Sequence, residues 1–175
     1  MVQLKDMLPV GIANFNMYLG TERQSGVGTD IKMPDLEALS ETLSGAGILG
    51  ELKVGNPGHF GELAVEIPFN TLDYRQFEIL KNSAEPIILR GASQYLDPET
   101  SELKHFGVKV TFKGPRSGLG LGTIAVGKPT GAAITIDAWY IKIEVDGEVY
   151  TELDKLNWKF ILNGVDQLAD ITPHM

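Results

Sequence analysis

The stretch from Ala132 to Asp166 constrains this chain more than any other. Two runs rich in β-branched and aromatic residues, AITIDAWYIKIEV and EVYTELDKLNWKFILNGVD, flank Asp146-Gly147. That dipeptide favours a type I′ turn, whose central residues both take positive φ, and it predicts a hairpin. The apolar phase changes partway. Ile134 and Ile136 fall on even positions, whereas Trp139, Ile141, Ile143 and Val145 fall on odd ones. Side chains alternate faces along a strand, so the buried face must swap near Ala138. The partner run swaps too, from Val149, Thr151 and Leu153 to Leu156, Trp158 and Phe160. A swap on both strands predicts a bulged or coiled ribbon that passes from one sheet to another, or from a core to an interface. Such a ribbon frames a β-domain and is not a catalytic site.

At 175 residues the chain fits a single domain, long enough to bury about 70% of its unfolded surface. Its 20 glycines and 9 prolines suffice to punctuate many short strands. The absence of cysteine excludes a disulfide scaffold, thiolate zinc sites and cysteine nucleophiles, and fits a reducing, cytoplasmic setting. No apolar run approaches the ~20 residues that span a bilayer, so no membrane anchor is expected. The opening MVQLKDMLPVG carries an acid and a proline and does not read as a signal peptide. A net charge of −8 argues against tight binding to a phosphate backbone, which needs clustered Lys and Arg.

Along the chain, a short arm (1–11) precedes an alternating run in which Ala13, Phe15, Met17 and Leu19 share a face. Residues 29–33 also alternate and stop at Pro34, so 13–19 and 29–33 read as a hairpin. The segment 34–50 has Leu36, Leu39 and Leu43 at helical spacing and ends in a Gly-Ala-Gly cluster, which predicts a loop with a helical turn. Two readings of its leucines stand: with Ile48 and Leu49 they form an exposed patch for a partner, or they cap their own barrel. A short strand at 51–54, a turn at Asn56-Pro57-Gly58 and a strand at 62–69 follow. A helix is expected from Leu72 to about Lys81, capped by Asn70 or Thr71, with Leu72, Phe77 and Leu80 on one side. Strands at 87–95 and 105–113 flank the turn Asp97-Pro98-Glu99-Thr100. About eight antiparallel strands and one short α-helix predict a mainly β fold, a barrel or sandwich.

Residues 114–131, GPRSGLGLGTIAVGKPTG, imitate a phosphate-binding loop through Gly122 to Lys128. The imitation fails because Pro129 replaces the hydroxyl residue that would hold Mg²⁺ and no helix follows. A glycine-rich mobile loop, ordered only against a neighbour, is the better reading. His59, His105 and His174 are isolated and show no metal-ligand spacing. Glu62 and Glu66 share one face of a strand and read as a solvated face, although they could imitate a carboxylate pair. Ser44, in SGAG, lacks the nucleophile elbow. No catalytic, cofactor-binding or metal-ligating residue is predicted.

The order of short motifs is more informative. Met33-Pro34-Asp35-Leu36, Ser44-Gly45-Ala46-Gly47, Leu49-Gly50, the strand and helix from Leu63 to Lys81, and Tyr95-Leu96-Asp97 leading to Thr100-Ser101-Glu102 come in sequence. They end in Asp146-Gly147-Glu148, Glu152-Leu153-Asp154 and Asn163-Gly164-Val165-Asp166-Gln167-Leu168. This pattern resembles the major tail tube proteins of contractile-tailed bacteriophages, the P2-like group, and their bacteriocin relatives.

The resemblance implies a structural protein and not an enzyme, with a tail-tube or type VI ring-like fold in one domain. Family members form hexameric rings whose hairpins join edge to edge around a channel, and the rings stack into a tube inside a contractile sheath. It implies contacts with the sheath protein, baseplate and tail-terminator proteins, and a lumen holding tape-measure protein or DNA without sequence-specific binding. The expected location is the virion tail or a phage-tail-like particle, assembled in the bacterial host cytoplasm. The loop at 34–50 becomes an inter-ring element, with Leu36, Leu39, Leu43 and Ile48 as contacts; relatives often carry basic residues there, whereas this chain has Glu37 and Glu41. Hairpins at about 29–54 and 87–113 are implied to line the lumen. Their apolar faces (Ile31, Met33, Leu52, Val54, Leu89, Phe106, Val108 and Val110) should pack inward, leaving Asp30, Lys32, Glu51, Lys53, Arg90 and Lys109 toward the channel. Two alternatives remain: the tube subunit of a type VI secretion or related injection machine, and a monomeric β-sandwich module that binds carbohydrate.

Overall fold

The computed structural model describes residues 6–82 and 84–174. Its strands are β1 (Leu8–Leu19), β2 (Glu22–Gln24), β3 (Ala38–Ser44), β4 (Glu51–Phe60), β5 (Ala64–Phe69), β6 (Ile87–Leu96) and β7 (Leu103–Lys113). There follow β8 (Arg116–Gly120), β9 (Ala132–Asp137), β10 (Tyr140–Val145), β11 (Glu148–Asp154), β12 (Lys159–Leu162) and β13 (Val165–Asp166). One helix, α1 (Tyr74–Lys81), lies between β5 and β6. The fold is mainly β as expected, though short strands such as β2, β8, β12 and β13 raise the number above eight.

An eight-stranded sheet runs β13-β12-β11-β10-β7-β6-β1-β2, and a three-stranded sheet runs β5-β9-β8. Every registered pairing is antiparallel. One core joins the two sheets into a sandwich. It is built from Met17, Leu19, Ile87, Phe112, Ile141 and Leu153 on one side and Val65, Ile67, Phe69, Ile134 and Ile136 on the other. Burying each such side chain contributes about 1.5–3 kcal/mol.

The central ribbon does what its phase change demands. Residues of β9 alternate into the core, and the chain then crosses to the eight-stranded sheet at Ala138, which is itself buried. The Ala138 amide donates to the Leu63 carbonyl (2.8 Å) and the Trp139 amide to the Lys113 carbonyl (2.8 Å), so consecutive residues belong to different sheets. Asp146 (φ 52°) and Gly147 (φ 84°) make the type I′ turn between β10 and β11. The matched swap on the partner run is corrected. There β11 stops at Asp154, whose carboxylate accepts the Leu156 and Asn157 amides (3.0 Å each), and β12 is a separate strand. An acidic turn, not a bulge, shifts the phase. The real irregularity of this ribbon lies between Ile143 and Glu144.

Other boundaries moved for equally local reasons. The partner of 13–19 is β2, and residues 29–33 are not a strand: they cross back to β5 through the isolated bridges Val27–Phe69 and Lys32–Glu66. Strand β1 begins at Leu8, so residues 8–11 of the expected arm are sheet, while residues 1–5 lie outside the described residues. The first part of the glycine-rich loop is β8, registered on β9. The helix cap is Asp73 instead of Asn70 or Thr71: its carboxylate accepts the Arg75 amide (2.7 Å) and the Gln76 side chain accepts the Asp73 amide (2.6 Å). The inward side of α1 carries Gln76 and Ile79, and Phe77 is exposed. Leu72, before the cap, does pack against the core.

Candidate assembly interface

The segment read as a loop with a helical turn is a strand, and this changes what it presents. β3 pairs with β4 as a two-stranded sheet that no third strand joins among the described residues. Alternation decides the faces. Leu39, Glu41 and Leu43 lie opposite Val54 and Leu52 on one side (Glu41↔Val54, Leu43↔Leu52). Ser40, Thr42, Ser44, Lys53 and Glu51 lie on the other. The apolar side is uncovered: Leu39 is 53% exposed, Leu43 48%, Leu52 52% and Val54 43%. The expectation that Leu52 and Val54 pack inward is therefore overturned, because their strand stands off the sandwich; Met33 is exposed as well. Of the predicted contacts, the structure brings Leu39 and Leu43 together, places Leu36 before β3, and puts Ile48 in the tip turn, where its amide donates to the Gly45 carbonyl (3.1 Å).

The Asn56-Pro57-Gly58 turn signal is absorbed inside β4. The register slips between Ala38 (opposite Phe60) and Ser40 (opposite Gly55), so residues 56–59 bulge. Proline cannot donate to a ladder, and a bulge is one of the few strand positions that admits it. Below the bulge the hairpin is fastened to the body. Phe60 meets Phe160 edge-on (4.8 Å), and His59 meets Trp158 (5.8 Å).

Two further open edges lie on the large sheet. β2 covers only Met17–Leu19 of β1, leaving residues 8–16 without a second neighbour among the described strands. β10 covers β7 from Val108 to Lys113 and the Asp146 amide reaches the Gly107 carbonyl (2.7 Å), leaving 103–106 open. Leu8, Val10, Ile12 and Leu103 are more than half exposed on these margins.

The face of the eight-stranded sheet that turns away from the core carries Tyr18, Ile88 and Ile161 among charged side chains that pair with one another. Lys109 and Lys142 both contact Glu144 (2.8 and 3.1 Å), Lys159 contacts Glu152 (2.9 Å), and the Tyr140 hydroxyl bonds Glu152 (3.1 Å). The Lys109 ammonium holds the Glu144 carboxyl below its ordinary pKa, with Lys142 assisting. Burial, and then Glu152, push the Tyr140 phenol far up. Arg90 and Lys109 are register partners on this face, and the Arg90 guanidinium lies over the Tyr18 ring (5.2 Å). Glu51 and Lys53 sit instead on the polar face of the β3–β4 hairpin, while Asp30 and Lys32 lie on the segment that bridges to β5. The six proposed channel residues thus belong to three surfaces, not one.

Among the described residues no three His, Asp or Glu side chains gather in a metal-holding cluster, and no helix is long and apolar enough to cross a membrane. A cleft of about 480 Å³ beside Trp139, Tyr140 and Leu156 is lined by Lys113, Asp154 and Asn157.

The surfaces that stand out are thus sheet edges and an uncovered apolar hairpin. The family model for phage tail tube protein FII matches residues 9–175. The chain belongs to that family. It is also similar to the tail tube protein of Escherichia phage P2, at 24% identity over 163 residues, covering 92% of this chain and 94% of the relative. As a member of the tail tube family it is a structural subunit of the phage tail, which associates with itself and other tail components. Sequence reasoning singled out 34–50 but read it as a loop with a helical turn, and it missed Leu52 and Val54 as members of the hairpin's apolar face. The signal was present in their pairing with Leu43 and Glu41, which becomes visible only once 38–44 is taken as a strand.

Proposed function

We propose that this chain builds the inner tube of a contractile tail, as hexameric rings that close edge to edge and stack around a channel for DNA delivery or envelope puncture. The observation that carries the reading is the free-standing β3–β4 hairpin with its uncovered Leu39/Leu43/Leu52/Val54 face. Isolated two-stranded hairpins are marginal in water, so this one needs a partner. A second copy supplies one without new chemistry, and the open margins of β1 and β7 give a ring its seams. Leu39 and Leu43 then make the inter-ring contact, with Leu36 and Ile48 at its borders.

The outward face of the eight-stranded sheet, with Arg90 and Lys109, becomes the channel wall, because its other face is occupied by the core. Its cations are largely answered: Glu144 faces Lys109 and Lys142, and Glu152 faces Lys159. A wall so neutralised lets phosphates pass without the counter-ion release that drives tight binding. The sheath, baseplate and terminator proteins are the remaining partners, assembly takes place in the host cytoplasm, and the chain performs no catalysis.

Negative-stain microscopy of the purified protein tests this, with rings or hollow tubes as the expected outcome. The double variant Leu39→Glu/Leu43→Glu is expected to give monomers or single rings. Long tubes from it would remove the hairpin from the stacking contact, and a wild-type chain that stays monomeric at high concentration would defeat the whole reading.

A further inference from the structure

The motif Asn163-Gly164-Val165-Asp166-Gln167-Leu168 has no role in any surface described above, yet it ends in an isolated burial. After Leu153, Leu168 is the only buried residue among those described, at 3% exposure, and it stands outside the main core. Everything before it serves to put it there. Asn163 (φ 47°) and Gly164 (φ 79°) turn the chain after β12. The Gln167 amide donates to the Phe160 carbonyl (2.8 Å), and the Asp166 carboxylate accepts the Leu168 amide (2.9 Å). The Leu168 carbonyl in turn accepts the Ile171 and Thr172 amides (3.0 Å each) and the Thr172 hydroxyl (2.9 Å).

Leu168 is seated against Gly58, inside the bulge of β4. Gly58 has φ +75°, and a Cβ there would lie 2.8 Å from Leu168 Cδ2 and 3.1 Å from Cδ1. Only glycine both adopts that backbone and leaves room for the leucine. His59 on Trp158 and Phe60 on Phe160 flank the contact, so the bulge is gripped by Trp158, β12 and the segment after it. Beyond the bulge, β3 and β4 pair with each other and with no other strand among the described residues.

We propose that Leu168 is a positioning residue: packed against Gly58, it fixes the direction in which the β3–β4 hairpin leaves the body, and ring stacking depends on that direction. Only the second half rests on the tube reading; the first concerns the lone chain. The chain has no cysteine, so labels can be placed cleanly. Spin labels on Ala46→Cys, in the hairpin tip, and Glu66→Cys, in β5, report the hairpin's angle as a distance distribution below the concentration of assembly. With Leu168 present the distribution is expected to be narrow. Leu168→Ala should at least double its width, approximately, with amide exchange in β9 and β11 unchanged. Gly58→Ala, which displaces the leucine without removing it, should do the same, and Leu168→Met should restore the narrow form.

A narrow distribution in Leu168→Ala, or a broad one in the parent chain, overturns the proposal. So does loss of protection in β9 and β11 in both variants, which would make Leu168 an ordinary core residue. A broadened hairpin that still builds tubes as readily as the parent overturns the assembly half alone. A parent chain that shows the distance effect but never assembles would sink the tube reading and leave the anchor standing.

Discussion

Inside α1 the amide of Gln76 closes a small circuit: its oxygen accepts the Asp73 amide (2.6 Å) and its nitrogen donates to the Thr71 carbonyl (3.0 Å). The side chain is 2% exposed, so Gln76→Leu removes the partner of two part-buried backbone groups and should cost about 1 kcal/mol in a denaturant titration. Phe77→Ala on the exposed side should cost about 0.5 kcal/mol or less. At the β6–β7 turn, Lys104 (2.7 Å) and the amides of Glu99 and Thr100 hold the Asp97 carboxyl down at about 2. A depressed carboxylate supports the turn fully above its ordinary value of 3.8 and loses that support only as pH falls through about 2. The group is at the surface, so the effect belongs to the turn and not to global stability. The Glu99 and Thr100 amide resonances should therefore titrate near pH 2 and stop titrating in Asp97→Asn. Such residue-level arrangements were the least legible in the sequence. Leu72, Phe77 and Leu80 suggested an apolar seam for α1, because helical spacing says nothing of whether a neighbour is there to cover it.

Elements were legible wherever a face is buried. β5, β6, β7 and β9 alternate because the sandwich enforces it, and a crossing near Ala138 was readable for the same reason. β3 was not, because nothing covers it. Glu41 interrupts the apolar side between Leu39 and Leu43, and Leu36 supplies a false helical interval. Pro57 and Gly58 were read as a turn because a bulge uses the same residues. The two faces of this hairpin make separable predictions. Leu52→Glu or Val54→Glu should abolish tubes as Leu39→Glu/Leu43→Glu does, whereas Thr42→Lys on the polar side should leave tube number and length in micrographs near those of the parent.

At the scale of the whole molecule the sandwich covers only part of the long strands, and the rest projects as margins. Charging one of them, by Val10→Asp with Ile12→Asp, should leave the thermal midpoint of the lone chain nearly unchanged because both residues are exposed. In size-exclusion chromatography with light scattering the same variant should stay monomeric at concentrations where the parent, on the reading proposed above, forms rings. Whole-molecule geometry was the part that composition could least reveal. A charge of −8 and an absence of cysteine narrow the partners without naming them, whereas the ordered motifs carried the family. The irregularities of β1 at Pro9/Gly11 and Ile12/Asn14 have a further consequence. An open strand invites any passing peptide to zip onto it, and a flat one would seed fibrils. With two extra residues set into its first half, β1 twists away from a straight template and accepts only a neighbour offset to match. Spontaneous nucleation from lone chains should consequently be slow and growth from a preformed end fast, so polymerisation followed by turbidity should show a lag that sheared seeds abolish.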